Sequence, residues 1–186
     1  MAFLRATIPD KALTVLISAF EEAVLPGASF DLGLSATAFH WLDEDMALAK
    51  VEKLLRPGGW WAMVWNVFGD RCRPDPFHEA TKILLDGPVS PSAGAGDVPF
   101  ALDGEARLAA LERTHAFNRI EYQASPWSLI LDPHQTVALY ATYSNVNIRP
   151  DREAVLAELG GGARDEFHGR VTRNMVTSLY VARRRS

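Results

Sequence analysis

The side chains best suited to chemistry fall into a few short stretches. His40 stands beside Trp41, and Trp65 beside Asn66; Tyr140 and Tyr143 are three residues apart. A neutral imidazole titrates near pH 6.5, so His40 can accept a proton from a hydroxyl, an amine or a carbon acid. Trp41 either walls a pocket or packs beneath a helix. Trp65 and Asn66 come where an apolar run ends and can line a pocket. Tyr140 and Tyr143, one helical turn apart, can close it, or belong to an aromatic stripe packed on a sheet.

Other chemistries lack their residues. There is no G-x-S-x-G elbow for a serine hydrolase, and the single cysteine, Cys72, lies between Arg71 and Arg73 with no element to hold a partner. The histidines, at 40, 78, 115, 134 and 168, have no metal-ligand spacing. Gly94–Gly96 follows no strand and opens no helix, so it does not cradle phosphate.

The elements that must position these residues can be read from periodicity. Leu13–Ile17 is a short β-branched run that reads as a strand buried on both faces, and Phe30–Ser35 is another, after a turn at Pro26-Gly27. From Asp43 to Leu55 the period becomes helical: Met46, Ala47, Val51, Leu54 and Leu55 share a face. Asp43 caps that helix, and Pro57-Gly58-Gly59 stops it. Trp60–Trp65 then reads as a third buried strand. Strand, helix and strand with short connectors make a βαβ unit and a parallel sheet. In such sheets ligands gather at the carboxyl ends of the strands, just after Ile17, Ser35 and Trp65.

Downstream, Asp75-Pro76 opens a helix to Leu85, and 87–99 is a flexible loop rich in Gly, Pro, Ser and Ala. Helices follow at Gly104–Arg113, from Asp132-Pro133 to about Tyr143, and at Glu153–Leu159, the last ending at Gly160-Gly161-Gly162. Strands are expected at Phe117–Ala124 and Arg170–Arg183, the latter with Val171, Met175, Leu179 and Val181 on one face.

Composition supports one globular domain: 186 residues, 48% hydrophobic and 23% charged. A net charge of −4 argues against nucleic acid as the main partner, and no apolar run is long enough to span a membrane. One cysteine suits a reducing cytoplasmic compartment. The basic cluster Arg183-Arg184-Arg185 reads as a solvated tail, with a nucleic-acid or membrane role as the other reading.

Three segments together resemble the class I S-adenosylmethionine-dependent methyltransferases, especially the small-molecule branch. Phe30-Asp31-Leu32, after Leu25-Pro26, resembles the family's "SFDLV" strand. Ser35-Ala36-Thr37-Ala38-Phe39-His40-Trp41-Leu42 is similar to its "alhWl" segment, and Leu54-Leu55-Arg56-Pro57-Gly58-Gly59 to its "LkPGG" turn. More loosely, Thr142-Tyr143-Ser144 and Leu179–Arg183 resemble a "TyS" segment and the closing strand. The resemblance implies an α/β, Rossmann-like sheet with an antiparallel C-terminal strand and inserted helices. It departs at the front: no G-x-G precedes Leu13, which implies a partial, N-terminally truncated domain lacking about 60–70 residues, two βα units of ~30 residues each.

By the same resemblance the cofactor is S-adenosylmethionine. Ser18, Ala19, Phe20 and Glu21 match the segment against adenine, with Phe20 stacking and Glu21 receiving the amine; their bland reading is core and a solvated helix start. Ser35, Ala36 and Thr37 match the segment beside the methionine end, though tight packing also favours small residues there. Trp41, Trp65, Asn66, Tyr140 and Tyr143 are expected on the acceptor side, with His40 as general base or as structure. The expected function is methyl transfer to a small molecule, with neither nucleic acid nor membrane as partner and a homodimer open. The other reading is a non-catalytic binding or structural module.

Overall fold

The computed structural model describes residues 13–68, 72–85 and 98–186. Most of the expected loop over 87–99 lies outside them. Four strands, β1 (Phe30–Ala36), β2 (Leu55–Phe68), β3 (Phe117–Leu131) and β4 (Val171–Arg184), form one sheet in the order β1-β2-β4-β3. β1 runs parallel to β2, while β4 lies antiparallel between β2 and β3. The helices are α1 (Glu44–Leu54), α2 (Pro76–Thr81), α3 (Gly104–Arg113), α4 (Pro133–Tyr140), α5 (Ser144–Asn147) and α6 (Arg152–Asp165). Single 3-10 turns occupy Phe39–Trp41 and Phe100–Leu102.

The expected βαβ unit is β1-α1-β2. Asp43 caps α1 by accepting from Met46 N at 2.9 Å, and Glu44 and Asp45 sit at the positive end of the helix dipole. β2 starts earlier than expected, at Leu55, so Pro57-Gly58-Gly59 lies inside a strand. Gly58 takes φ +78° there, and the register with β1 shifts between Phe30 and Leu32. Ala28 N and Ser29 N donate to the carbonyls of Lys53 and Leu54, which seats the entry to β1 on the end of α1.

Opposite faces of the sheet feed two cores. Trp61, Met63 and Trp65 of β2, with Tyr180 and Ala182 of β4, face α1 and α3. Val171 of β4 and Leu131 of β3 face α4, α5 and α6 on the other side. The inward side of β4 therefore changes along its length: Val171, Arg173 and Met175 are buried on one face, and Val176, Ser178, Tyr180 and Ala182 on the other. The expected face holds for Val171 and Met175, but Leu179 and Val181 are only half-buried.

Five further expectations change. Leu13–Ile17 forms no strand; Leu13, Leu16 and Ile17 are exposed, and no strand among the described residues pairs with them. β3 continues past Ala124 through Pro126, which an edge strand tolerates because one side of its ladder is open. The expected Asp132–Tyr143 helix is α4, which ends at Tyr140, and α5 follows. α6 does not stop at its glycines, because Gly160 is buried where a Cβ would come within 2.9 Å of Val137 Cγ2. The C-terminal arginines are not a solvated tail: Arg183 Nε donates to Gly58 O at 3.0 Å, Arg184 to Leu55 O, and Arg185 Nε to Phe117 O at 3.0 Å.

The two neighbouring glycines of α6 should respond differently to alanine. At Gly161 a Cβ meets nothing within 4 Å, so Gly161→Ala is expected to stabilise by about 0.5–1 kcal/mol, a rise of roughly 1–4 °C in Tm. Gly160→Ala should give no such gain, since Val137 must yield. Thermal unfolding of both variants checks this.

Candidate functional site

The carboxyl end of β1 is strained. Thr37, the residue after the strand, has φ +50°, a left-handed conformation that is rare and costly for a β-branched side chain. Its N–H donates to Val64 O at 2.8 Å, which fixes the turn to β2. Ala36 and Thr37 are exposed and Ser35 is half-buried. The expected segment Ser35-Ala36-Thr37 thus forms a bent, ligand-accessible rim.

Of Ser18, Ala19, Phe20 and Glu21, only Phe20 lines the cavity on this side of the sheet. Glu22 N and Ala23 N both donate to Ala19 O, at 3.2 and 3.0 Å, closing a single tight turn. Ser18, Ala19 and Glu21 are exposed, while Phe20 packs inward against the core beneath α1. Lys50 of α1 donates to the carbonyls of Phe20, Glu21 and Ala23 at 2.6, 3.0 and 2.7 Å. Its ammonium also stands 5.2 Å from the centre of the Phe20 ring.

Phe20 and Ser35 line one cavity of about 290 Å³, together with Leu32 and Gly33 of β1, Leu42, and Val51 of α1. Its lining is almost wholly apolar, and its volume is near the lower limit of about 300 Å³ for small-molecule sites. The described residues place no acidic side chain in the lining for ribose hydroxyls and no glycine-rich turn. The cavity thus offers apolar contacts, and groups that would bind ribose are not in its lining. Gly33 serves packing: a Cβ there would meet the Trp61 ring at 2.8 Å.

His40 lies in the core. The indole N–H of Trp65 donates to its Nδ1 at 3.1 Å, so the ring proton sits on Nε2. Burial holds its pKa below the usual 6.5. Phe100 packs against both rings, at 6.3 Å from His40 and 5.9 Å from Trp65. With Nδ1 occupied and Nε2 protonated, His40 offers a donor and not a free base, which corrects the general-base expectation. Trp41, by contrast, is exposed.

The expected acceptor-side residues do not form one pocket. Because β2 runs on to Phe68, Trp65 and Asn66 are consecutive strand residues and point to opposite faces. Trp65 is buried against Tyr180. Asn66 is exposed and accepts from Thr177 Oγ1 at 2.7 Å. Tyr140 and Tyr143 belong to the face of the second core, with ring centres 4.9 Å apart, and Tyr143 stands 5.4 Å from Phe68.

A buried ion pair that the sequence reading missed lies there. Arg173 Nε donates to Asp75 Oδ2 at 2.6 Å, and its Nη1 donates to the Tyr140 hydroxyl. The guanidinium also lies 4.3 Å from the Phe68 ring centre. Asp75 uses its other oxygen to cap α2 at His78 N. Removing one partner of such a pair typically costs about 3–5 kcal/mol. Burial pushes the Tyr140 hydroxyl up to about 12 and raises that of Tyr143 as well; neither can serve as a base near neutral pH. The signal was available: Arg173 occupies an inward position between Val171 and Met175. Among the described residues no group of His, Cys, Asp and Glu could hold a metal.

Residues 1–63 match the family model described as a methyltransferase domain. An uncharacterized methyltransferase of Mycobacterium tuberculosis is 40% identical over 68 residues, 37% of this chain and 27% of that protein. An uncharacterized methyltransferase-like protein of Schizosaccharomyces pombe is 28% identical over 137 residues, 73% of this chain and 49% of its own length. The matches span between about a quarter and a half of those relatives. In structure, a putative type II methyltransferase from Anaeromyxobacter dehalogenans superimposes with a TM-score of 0.61 at 19% identity, over 99% of this chain and 76% of that one.

The depressed pKa of His40 gives stability a pH dependence of known sign. The folded state prefers the neutral ring, so its contribution is complete above pH 6.5 and is lost as pH falls below that value. His40→Asn, which keeps an acceptor for the Trp65 N–H, should remove that part of the decline. Tm measured between pH 7.5 and 5 should fall less steeply for the variant than for the native chain.

Proposed function

We propose that this chain, whose residues 1–63 match a methyltransferase-domain model and whose fold is similar to that of a putative methyltransferase, takes part in methyl transfer from S-adenosylmethionine to a small-molecule acceptor. The observation that carries the reading is an apolar cavity lined by Phe20 and by β1 from Phe30 to Ser35, which reaches toward the carboxyl end of that strand. Open α/β sheets bind their ligands at that end. Phe20 is the adenine-side contact, and the bent backbone at Ser35–Thr37 borders the methionine end.

The cofactor supplies an electrophilic methyl on its sulfonium. The acceptor's lone pair forms the new bond to carbon as the carbon–sulfur bond breaks; the acceptor loses a proton and S-adenosylhomocysteine departs. The protein has only to align the two groups and keep water out, which needs no fixed catalytic dyad. His40 held by Trp65, and the tyrosine hydroxyls raised by burial, accord with a site that works by placement. Trp41 is exposed beside the lining residues Phe39 and Leu42, and is the acceptor-side residue most open to a bound molecule. The one cysteine in the chain is the ground for placing the protein in the cytoplasm. No helix among the described residues is long and apolar enough to cross a membrane.

Ultraviolet crosslinking with methyl-labelled S-adenosylmethionine tests the assignment. Label should appear in the peptide containing Phe20, and unlabelled S-adenosylhomocysteine should displace it. Stacking of a base on an aromatic ring contributes about 1–3 kcal/mol, so Phe20→Ala should weaken labelling by roughly 5- to 100-fold. Label confined to other peptides, or unmoved by the competitor, would remove the assignment.

A further inference from the structure

We infer that Lys50 is a positioning residue that sets the spacing between the two walls of the cofactor cavity; this rests on the cofactor reading above. An ammonium group has three N–H donors and no acceptor. All three are matched here by backbone carbonyls, those of Phe20, Glu21 and Ala23, at 2.6, 3.0 and 2.7 Å. A saturated ammonium is a scaffold and not a ligand for the cofactor's carboxylate. These carbonyls belong to a one-turn segment that no further helical turn follows, so they have no intrahelical partners of their own.

The segment needs such a tether. Leu13–Ile17, just before it, has no strand neighbour among the described residues, so no ladder fixes its height above the sheet. The second wall is tied to the same helix from the other side. Ser35-Ala36-Thr37 leads through the 3-10 turn at Phe39–Trp41 directly into α1, whose Val51 and Leu54 also line the cavity. α1 thus holds one wall by chain connectivity and the other by Lys50. Arginine replaces it only in part, because a planar guanidinium fork does not converge on three carbonyls as a tetrahedral ammonium does.

Calorimetric titration of S-adenosylhomocysteine into the native chain, Lys50→Met and Lys50→Arg provides the test, with amide exchange followed in parallel. Lys50→Met should bind about tenfold more weakly, comparable to the net contribution of one charged hydrogen bond, and Lys50→Arg should fall between it and the native chain. In both variants the amides of Glu22 and Ala23 should exchange faster while those of α1 and β2 do not, a local loosening that a general loss of fold would not give. Should Lys50→Met prove unfolded, the exchange and affinity of Lys50→Arg decide. Native-like affinity, or unchanged exchange at Glu22 and Ala23, in a folded variant overturns the role of Lys50 and leaves the cofactor reading standing. Absence of binding by the native chain up to millimolar ligand overturns the cofactor reading, and the role of Lys50 with it.

Discussion

The antiparallel ladder between β2 and β4 is the constraint on which the rest of the structure depends. Trp60 to Phe68 pair without interruption with Arg183 to Met175, and β1 and β3 join on either side of this pair. Side chains alternate across the ladder, so it decides which residues can meet. Met63 faces α1 with its partner Tyr180, and Phe68 lies on the Arg173 side with its partner Met175. Each helical layer buries a different half of β4, which accounts for two separate cores in a chain of this length.

That alternation explains how the candidate site divides. Phe20, Ser35 and α1 enclose an apolar cavity, in which only van der Waals and stacking forces are on offer. Arg173, Asp75, Tyr140 and Tyr143 gather the buried polar groups on the other face, at the far end of β2. Tyr143 keeps a buried hydroxyl that makes no hydrogen bond among the described residues.

Local patterns made the centre of the fold legible. The helix from Glu44 to Leu54 announced itself by its cap, its acidic first turn and its apolar stripe, and β1 by its short apolar run after the Pro26-Gly27 turn. The order of the three family-like segments pointed to the methyltransferase fold that the chain has. What could not be read depended on neighbours. Leu13–Ile17 carries a strand's pattern, but a strand exists only where another strand offers a ladder. The glycines at 160–162 carry a stop signal, overruled by close packing of α6 on Val137. Trp65 and Asn66 seemed to leave their strand together because the strand's end was placed three residues too early. A one-residue step along a strand reverses the face, so the error moved Asn66 away from the predicted pocket. The role of Lys50 had no local signature, since the three carbonyls it meets are distant in sequence.

Amide shift mapping with S-adenosylhomocysteine on the isotopically labelled chain tests the central claim most directly. Perturbations confined to Ser18–Glu21, Ser35–Thr37 and the cavity-facing side of α1, with Asn66, Tyr140 and Tyr143 unmoved, are the predicted result. Shifts centred on Tyr140, Tyr143 and Arg173 would place the cofactor on the opposite face of the sheet and contradict the account.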